Sequence, residues 1–187
     1  MVQTPAKFLT LKEFLKLPET KPASEFVEAR MIQKPMPQGK HSTVQGEIVP
    51  TINLALRPNR IARAYPELRC TFGDRSVVPD VTVFTWERIP CDKKGEFANV
   101  FAIAPDWIIE ILSPDPRQTK VVRNILYCLA HSTQMSWLID PEEKLVFIYF
   151  SDQHVAVYEG MGDRIPVPPF AESFLLTVGQ LFAWLTE

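Results

Sequence analysis

The stretch that decides the fold is Asp106-Trp107-Ile108-Ile109-Glu110-Ile111-Leu112-Ser113-Pro114. It is short, rich in β-branched and aromatic residues, and closed by Ser-Pro, a pattern typical of a buried central strand. One acid, Glu110, interrupts the apolar run. A carboxylate in such a strand loses most of its hydration, which costs several kcal/mol unless a cation or hydrogen-bond donors meet it.

A second stretch repeats this arrangement upstream. Val77 to Phe84 is predicted to be one strand, and it contains a single acid, Asp80. If the two strands are neighbours, the side-chain alternation of a sheet lets both carboxylates converge within the few ångströms that one divalent ion spans. Hard cations such as Mg²⁺ prefer oxygen ligands and are usually held by one or two carboxylates. The pair therefore predicts a metal site.

Composition restricts the class of protein. With 187 residues, 46% of them hydrophobic, the chain is expected to form one domain over residues 1–187, in which residues 1–20 are an N-terminal helical extension. The net charge of −2 excludes a protein that binds nucleic acid through overall positive charge. Residues 34–75 nevertheless contain seven Lys or Arg and three Asp or Glu. This excess fits either a surface that faces phosphates or ordinary solvated surface.

Cysteine and histidine spacing excludes the common zinc sites. Cys70, Cys91 and Cys128 lack Cys-x-x-Cys spacing and are expected to be buried free thiols in a reducing compartment. The histidines show no His-x-x-x-His spacing. Ser113 is expected to end its strand and not to act as a nucleophile, because no partner histidine is identifiable. No signal peptide or long apolar run is present, so we expect a soluble, cytoplasmic protein without membrane contact.

Periodicity predicts alternating strands and helices, and therefore a mixed α/β sheet covered by helices. A capping box at Thr10 opens a short helix that ends before Pro18, and a second one at Thr177 opens the last helix. The other predicted elements are a hairpin over 25–33, a helix over Gly39–Leu56 with a kink at Pro50, strands over 61–65, 68–72, 136–140, 145–150 and 155–158, and a helix after Glu110 whose polar stripe is Lys120, Asn124, Tyr127 and His131.

The order of motifs resembles the Uma family of bacterial endonucleases, in the PD-(D/E)XK restriction-endonuclease-like superfamily. The matching segments are VPDVTVF (78–84), PDWIIEILSP (105–114), a following helix with Tyr127, and WLIDP (137–141). The resemblance covers the chain from about Glu25 to the last helix. It implies a twisted mixed sheet flanked by helices, with Asp80 and Glu110 as the metal-binding acids. Glu25 falls where the family often has a glutamate, in a segment resembling YELIDGE.

The lysine of the superfamily is displaced in this chain. Leu112 stands two positions after Glu110, where the superfamily motif has lysine. Related Uma sequences have a lysine on the following helix, four residues before the tyrosine, and that position here is Arg123. The nearest lysine is Lys120. Arginine stays charged and cannot act as a base, so either Lys120 has taken over the role or the chemistry is weakened.

We therefore expect a phosphodiesterase that uses Mg²⁺ or Mn²⁺. Asp80, Glu110 and the Ile111 carbonyl are the predicted metal ligands, and Lys120 is expected to support the attacking water. Other residues expected along the cleft are Glu25, His41, Gln45, Arg123 and Tyr127. The expected substrate is nucleic acid, with DNA favoured, and cutting both strands of a duplex would favour a homodimer. Two alternatives are a non-catalytic nucleic-acid-binding or interaction protein on the same fold, and a hydrolase of smaller phosphate esters.

Overall fold

The computed structural model describes residues 9–114, 118–152 and 154–186. The helices in these ranges are α1 (Leu11–Phe14), α2 (Gly39–Leu56), α3 (Gln118–Leu129) and α4 (Val178–Ala183). Both predicted capping boxes are present, at Thr10 for α1 and at Thr177 for α4. Helix α2 has the predicted bounds and continues through Pro50.

The strands in these ranges form two sheets. They are β1 (Ser24–Val27), β2 (Arg30–Gln33), β3 (Ala62–Pro66), β4 (Cys70–Phe72), β5 (Arg75–Val77), β6 (Val81–Thr85), β7 (Trp107–Ile111), β8 (Met135–Asp140), β9 (Leu145–Phe150) and β10 (Val155–Tyr158). The smaller sheet has the order β2-β1-β5-β4, and the larger has the order β10-β9-β8-β7-β6-β3. In the larger sheet, β7 and β8 are parallel and the other neighbours are antiparallel, so the predicted mixed sheet is confirmed.

The single strand predicted over Val77–Phe84 is wrong. The chain forms β5 in the smaller sheet and then β6 in the larger one, and the residues between them, Val78, Pro79 and Asp80, connect the two sheets. Pro79 has no N–H to donate to a strand ladder, which favours a break at this position. Asp80 therefore lies at the corner between the sheets and directly precedes β6.

The larger sheet is covered on both faces, which creates two apolar clusters. Helices α2 and α4 cover one face, where Ile48, Trp107 and Trp137 are fully buried. Helix α3 covers the other face, where Phe84, Ile108 and Ile125 are fully buried. A strand that is buried on both faces has a nearly continuous apolar sequence, which explains the run around Glu110.

The N-terminal segment packs on the smaller sheet. The ring of Phe14 in α1 lies 5.5 Å from that of Phe26 in β1. The predicted hairpin is β1–β2, and its turn residues Glu28 and Ala29 both have positive φ, at 51° and 57°. Two consecutive residues of positive φ match a tight turn that twists with the strands, which neither residue type favours from sequence alone.

The three cysteines are free, as expected. Cys70 and Cys128 are buried, but the expectation that Cys91 is buried is wrong, because it is exposed in the loop after β6. No helix in the described part of the chain is long and apolar enough to cross a membrane.

Candidate active site

A cleft opens where the end of β7 meets the smaller sheet and the first turns of α2 and α3. Apolar side chains form much of its wall, and its polar side chains come from all of these elements. The polar and charged residues that line it are Glu25, Gln33, Lys34, His41, Glu67, Asp80, Glu110, Ser113, Gln118, Lys120 and Asn124.

The two acids singled out from the sequence meet in this cleft. Strands β6 and β7 are antiparallel neighbours with Val81 opposite Ile109, which brings Asp80 beside Glu110. Asp80 is 3% exposed and Glu110 is 5% exposed. The Asp80 N–H donates to Glu110 Oε2 at 3.3 Å, and the Ile111 N–H donates to Asp80 Oδ2 at 2.8 Å. The register of β6 and β7 thus places the carboxylates of Asp80 and Glu110 side by side.

The cation between the acids is Lys34, directly after β2. Its Nζ lies 2.6 Å from Asp80 Oδ1 and 3.8 Å from Glu110 Oε2, and it donates to the Val78 carbonyl at 2.8 Å. The side chain is 20% exposed. The Lys34 N–H donates to the Ala23 carbonyl at 2.9 Å, which ties its backbone to the smaller sheet.

Burial and the Lys34 ammonium together shift the pKa values of the two acids in opposite directions. Burial alone would raise the pKa of Asp80, but Lys34, His41 and the Ile111 N–H outweigh it and lower that pKa. Burial raises the pKa of Glu110 well above its ordinary value, and Lys34 offsets this only partly. Burial would lower the pKa of Lys34, but Asp80 and Glu110 together raise it, so this lysine stays charged. Asp80 is therefore the charged partner of Lys34, and Glu110 holds its proton more tightly.

A third buried acid, Glu25 on β1, borders the same cleft. It is 8% exposed and accepts from the Val78 N–H at 2.8 Å and from Asn124 Nδ2 at 3.1 Å. Burial raises its pKa, against the opposing effect of Lys34. Asn124 is buried on α3 and connects this helix to the smaller sheet. It was part of the predicted polar stripe, but its contact with Glu25 depends on packing between distant segments.

Helix α2 supplies two polar contacts to Asp80. His41 Nε2 lies 3.6 Å from Asp80 Oδ1, and Gln45 Nε2 donates to the Asp80 carbonyl at 2.8 Å. On its other side, His41 Nδ1 shares a hydrogen bond of 3.2 Å with Ser113 Oγ. The expectation that Ser113 has no partner histidine is therefore wrong. His41 connects the end of β7 to the acid at the start of β6.

The remaining predicted residues are spread along α3 and the end of β7. Ile111 ends β7 and lines the cleft. Lys120 lies in the first turn of α3, exposed, and also lines the cleft. Arg123 forms an ion pair with Glu28 at the hairpin turn. The Tyr127 hydroxyl donates to Asp74 Oδ1 at 2.8 Å. The expectation that Gln45, Arg123 and Tyr127 line the cleft is wrong, because none of them is among the described residues that do so.

Sequence reasoning missed Lys34. It noted this residue only as one of seven cations in a basic stretch, because nothing in the local pattern separates a lysine after a hairpin strand from a solvated one. The available signal was electrostatic, since two carboxylates predicted in one core require a cation. That requirement does not say which lysine supplies it.

The donor set fits a hard divalent cation. Two buried carboxylates, Asp80 and Glu110, already converge on one cationic atom, Lys34 Nζ. Within the described ranges, however, no group of three or more His, Cys, Asp or Glu side chains has the arrangement of a metal site. Main-chain oxygen and water would have to supply the other ligands, which is usual for Mg²⁺.

Comparisons with known proteins identify the family and the fold of this chain. A crystal structure from Anabaena variabilis ATCC 29413, described as "a putative nuclease belonging to DUF820", matches with a TM-score of 0.93 and 60% sequence identity, covering 95% of this chain and 99% of that one. A search of curated proteins found no match. The profile of the Uma2 family, described as "Putative restriction endonuclease", matches residues 11–179. Because this match spans most of the sequence, the chain belongs to the Uma2 family.

Proposed function

We propose that this protein is a metal-dependent endonuclease that hydrolyses phosphodiester bonds of nucleic acid, with DNA as the favoured substrate. Asp80 and Glu110 would hold Mg²⁺ or Mn²⁺ together with the Ile111 carbonyl. The bound ion would polarise a phosphoryl oxygen and lower the pKa of water. Membership of the Uma2 family and the likeness to a protein described as a nuclease support the reaction class.

The observation that carries the metal part of the proposal is an imbalance of charge. Among the described residues, three buried acids, Glu25, Asp80 and Glu110, border the cleft beside one partly buried lysine, Lys34. Burial raises the pKa of Glu25 and of Glu110, and the charge of Lys34 offsets this only in part. One divalent cation would balance these acids in their charged form.

The cleft also offers positive charge to a phosphate. Lys34 and Lys120 both line it, one at the acids and one at the exposed start of α3. The first turn of α2, which carries His41, borders it as well, and Gln38 makes no side-chain cap there. Uncapped N–H groups at a helix start favour anions. In the proposal, Lys120 supports the attacking water and Arg123 adds charge at the outer side of α3.

The substrate proposal implies a second copy of the chain for duplex DNA. Each cleft has one pair of proposed metal ligands, Asp80 and Glu110, so cutting both strands at one place needs two symmetric clefts. The free cysteines fit a protein of the reducing cytoplasm, which is where we place it.

Cleavage assays test this function. Supercoiled plasmid, single-stranded DNA and single-stranded RNA are incubated with the protein and Mg²⁺, Mn²⁺ or EDTA. We expect metal-dependent cleavage that Asp80→Asn and Glu110→Gln both abolish. Glu142→Gln is the matched control, because this acid is 54% exposed and paired with Lys40 outside the acid pair. Absence of cleavage with every metal and substrate, combined with retained nucleic-acid binding, would refute catalysis and support a binding protein on the same fold.

A further inference from the structure

A side chain of the protein itself, Lys34, lies beside both acids of the proposed metal site. Lys34 Nζ is 2.6 Å from Asp80 Oδ1, a charge-assisted contact, and 3.8 Å from Glu110 Oε2. We propose that the Lys34 ammonium is a resident cation of this carboxylate pair, and that a divalent ion binds only by displacing it. This inference deepens the proposed function and rests on the metal site assigned there.

A metal ion and the Lys34 ammonium would compete for Asp80 Oδ1, because two cations on one oxygen repel each other. A Mg²⁺ ion stands about 2.0–2.1 Å from its oxygen ligands. An ammonium at 2.6 Å from the same oxygen is a like charge in the adjoining space, and it has no lone pair with which to become a ligand. The other oxygen, Oδ2, accepts the Ile111 N–H at 2.8 Å. Asp80 therefore has no second oxygen free of a hydrogen bond.

Lys34 can leave Asp80 without leaving the cleft. Its backbone N–H is bonded to Ala23 at the smaller sheet, so displacement needs only a rotation of the side chain. The four-carbon stem is flexible and the side chain is 20% exposed. A displaced ammonium stays beside the acids, where a substrate phosphate would lie. Lys34 thus supplies, from the hairpin, the lysine that Leu112 and Arg123 do not.

The displacement predicts a rise in metal affinity when the lysine is removed. Lys34→Met keeps an unbranched side chain one atom shorter and removes its charge, so no ammonium competes with a metal ion for Asp80. Lys120→Met removes the same charge from the same cleft, but this lysine is exposed on α3. Lys34→Arg keeps a cation next to the acids.

Isothermal titration calorimetry of Mn²⁺ into the metal-free full chain compares these variants at one pH and ionic strength, after circular dichroism has shown that each is folded. We expect Lys34→Met to bind Mn²⁺ on the order of tenfold more tightly than the wild type. Lys120→Met and Lys34→Arg should remain within about twofold. Without metal, Lys34→Met should melt at a lower temperature than the wild type, and Mn²⁺ should raise its melting temperature by more.

The displacement is overturned if Lys34→Met binds Mn²⁺ no more tightly than the wild type. It is also overturned if Lys120→Met gains as much Mn²⁺ affinity as Lys34→Met, because the gain would then reflect only the general charge of the cleft. Failure of both wild type and Lys34→Met to bind Mn²⁺ overturns it as well. The nuclease proposal is judged separately by cleavage. Tighter binding by Lys34→Met without cleavage by the wild type would sustain the displacement and refute the nuclease.

Discussion

Asp106 lies at the opposite end of the strand pair from Asp80, and its removal should destabilise the fold without changing the cleft. It directly precedes β7 and is 2% exposed. Its Oδ2 accepts from the Thr85 N–H at 2.8 Å and from Thr85 Oγ1 at 3.1 Å, and its Oδ1 pairs with Arg88. These contacts hold the end of β6 against the start of β7, whose other ends bring Asp80 and Glu110 together.

The cost of Asp106→Ala follows from these contacts. Leaving the Thr85 N–H without its acceptor costs about 1–3 kcal/mol. The Arg88 side chain is 34% exposed and can turn to water, so losing the ion pair adds only about 1 kcal/mol. The free energy of unfolding should fall by about 2–4 kcal/mol in total. For a chain of this size, that lowers the melting temperature by roughly 4–16 °C.

Urea unfolding followed by tryptophan fluorescence measures this loss, with the m-value compared between variants. Glu142→Ala is the control, because its ion pair with Lys40 has both side chains about half exposed and is worth under about 1 kcal/mol. Asp106→Ala should keep the wild-type rise of melting temperature with Mn²⁺. If Asp106→Ala costs no more than Glu142→Ala, the strand-end contacts do not stabilise the fold as argued.

Three further predictions concern the site and its surroundings. Burial raises the pKa of Glu110 in the folded state, so the metal-free protein should lose stability as the pH rises above 4.5. Melting temperatures measured against pH should decline less for Glu110→Gln than for the wild type. An equal decline in the two proteins contradicts this. Lys120→Ala should lower kcat and retain nucleic-acid affinity, whereas Arg123→Ala should mainly weaken nucleic-acid binding. Single-turnover cleavage measures the first effect and fluorescence anisotropy the second. If both variants match the wild type, both roles are refuted. Gly73→Ala should lower the melting temperature, because Gly73 has φ +56° and a Cβ there would stand 2.2 Å from the Tyr127 hydroxyl; a Gly73→Ala variant as stable as the wild type would contradict that contact.

The structure reverses the predicted effect of Asp80→Asn on the stability of the metal-free protein. From sequence, two bare carboxylates predict repulsion, so removing one charge should stabilise the protein without metal. With Lys34 at 2.6 Å, Asp80 is the charged partner of a partly buried ammonium. The Asn substitution removes this charge and leaves Lys34 with Glu110, at 3.8 Å, as its ion-pair partner among the described residues. The structure therefore predicts that Asp80→Asn is less stable than the wild type without metal.

Sequence patterns predicted the elements that local forces determine. Helix α2 and strands β9 and β10 have their predicted bounds, because an amphipathic period and β-branched runs specify them without reference to distant residues. The break between β5 and β6 escaped prediction. An apolar run is compatible with one strand or two. Pro79 favours a break, but the sequence does not show that the two halves pair in different sheets.

The same distinction explains why the acids of the site were found and its lysine was not. Asp80 and Glu110 depend on the register of β6 and β7, so each must sit at a fixed place in an apolar run, and that place is visible in the sequence. An ammonium on a long flexible stem has no such requirement, since any segment that borders the cleft can supply it. Lys34 reaches the acids from a hairpin more than 40 residues before Asp80 in the chain, whereas Lys120, chosen for its nearness to Glu110 in sequence, lies at the exposed rim. In this protein, spacing along the chain identifies the carboxylates, and only the three-dimensional structure identifies the cation that they share.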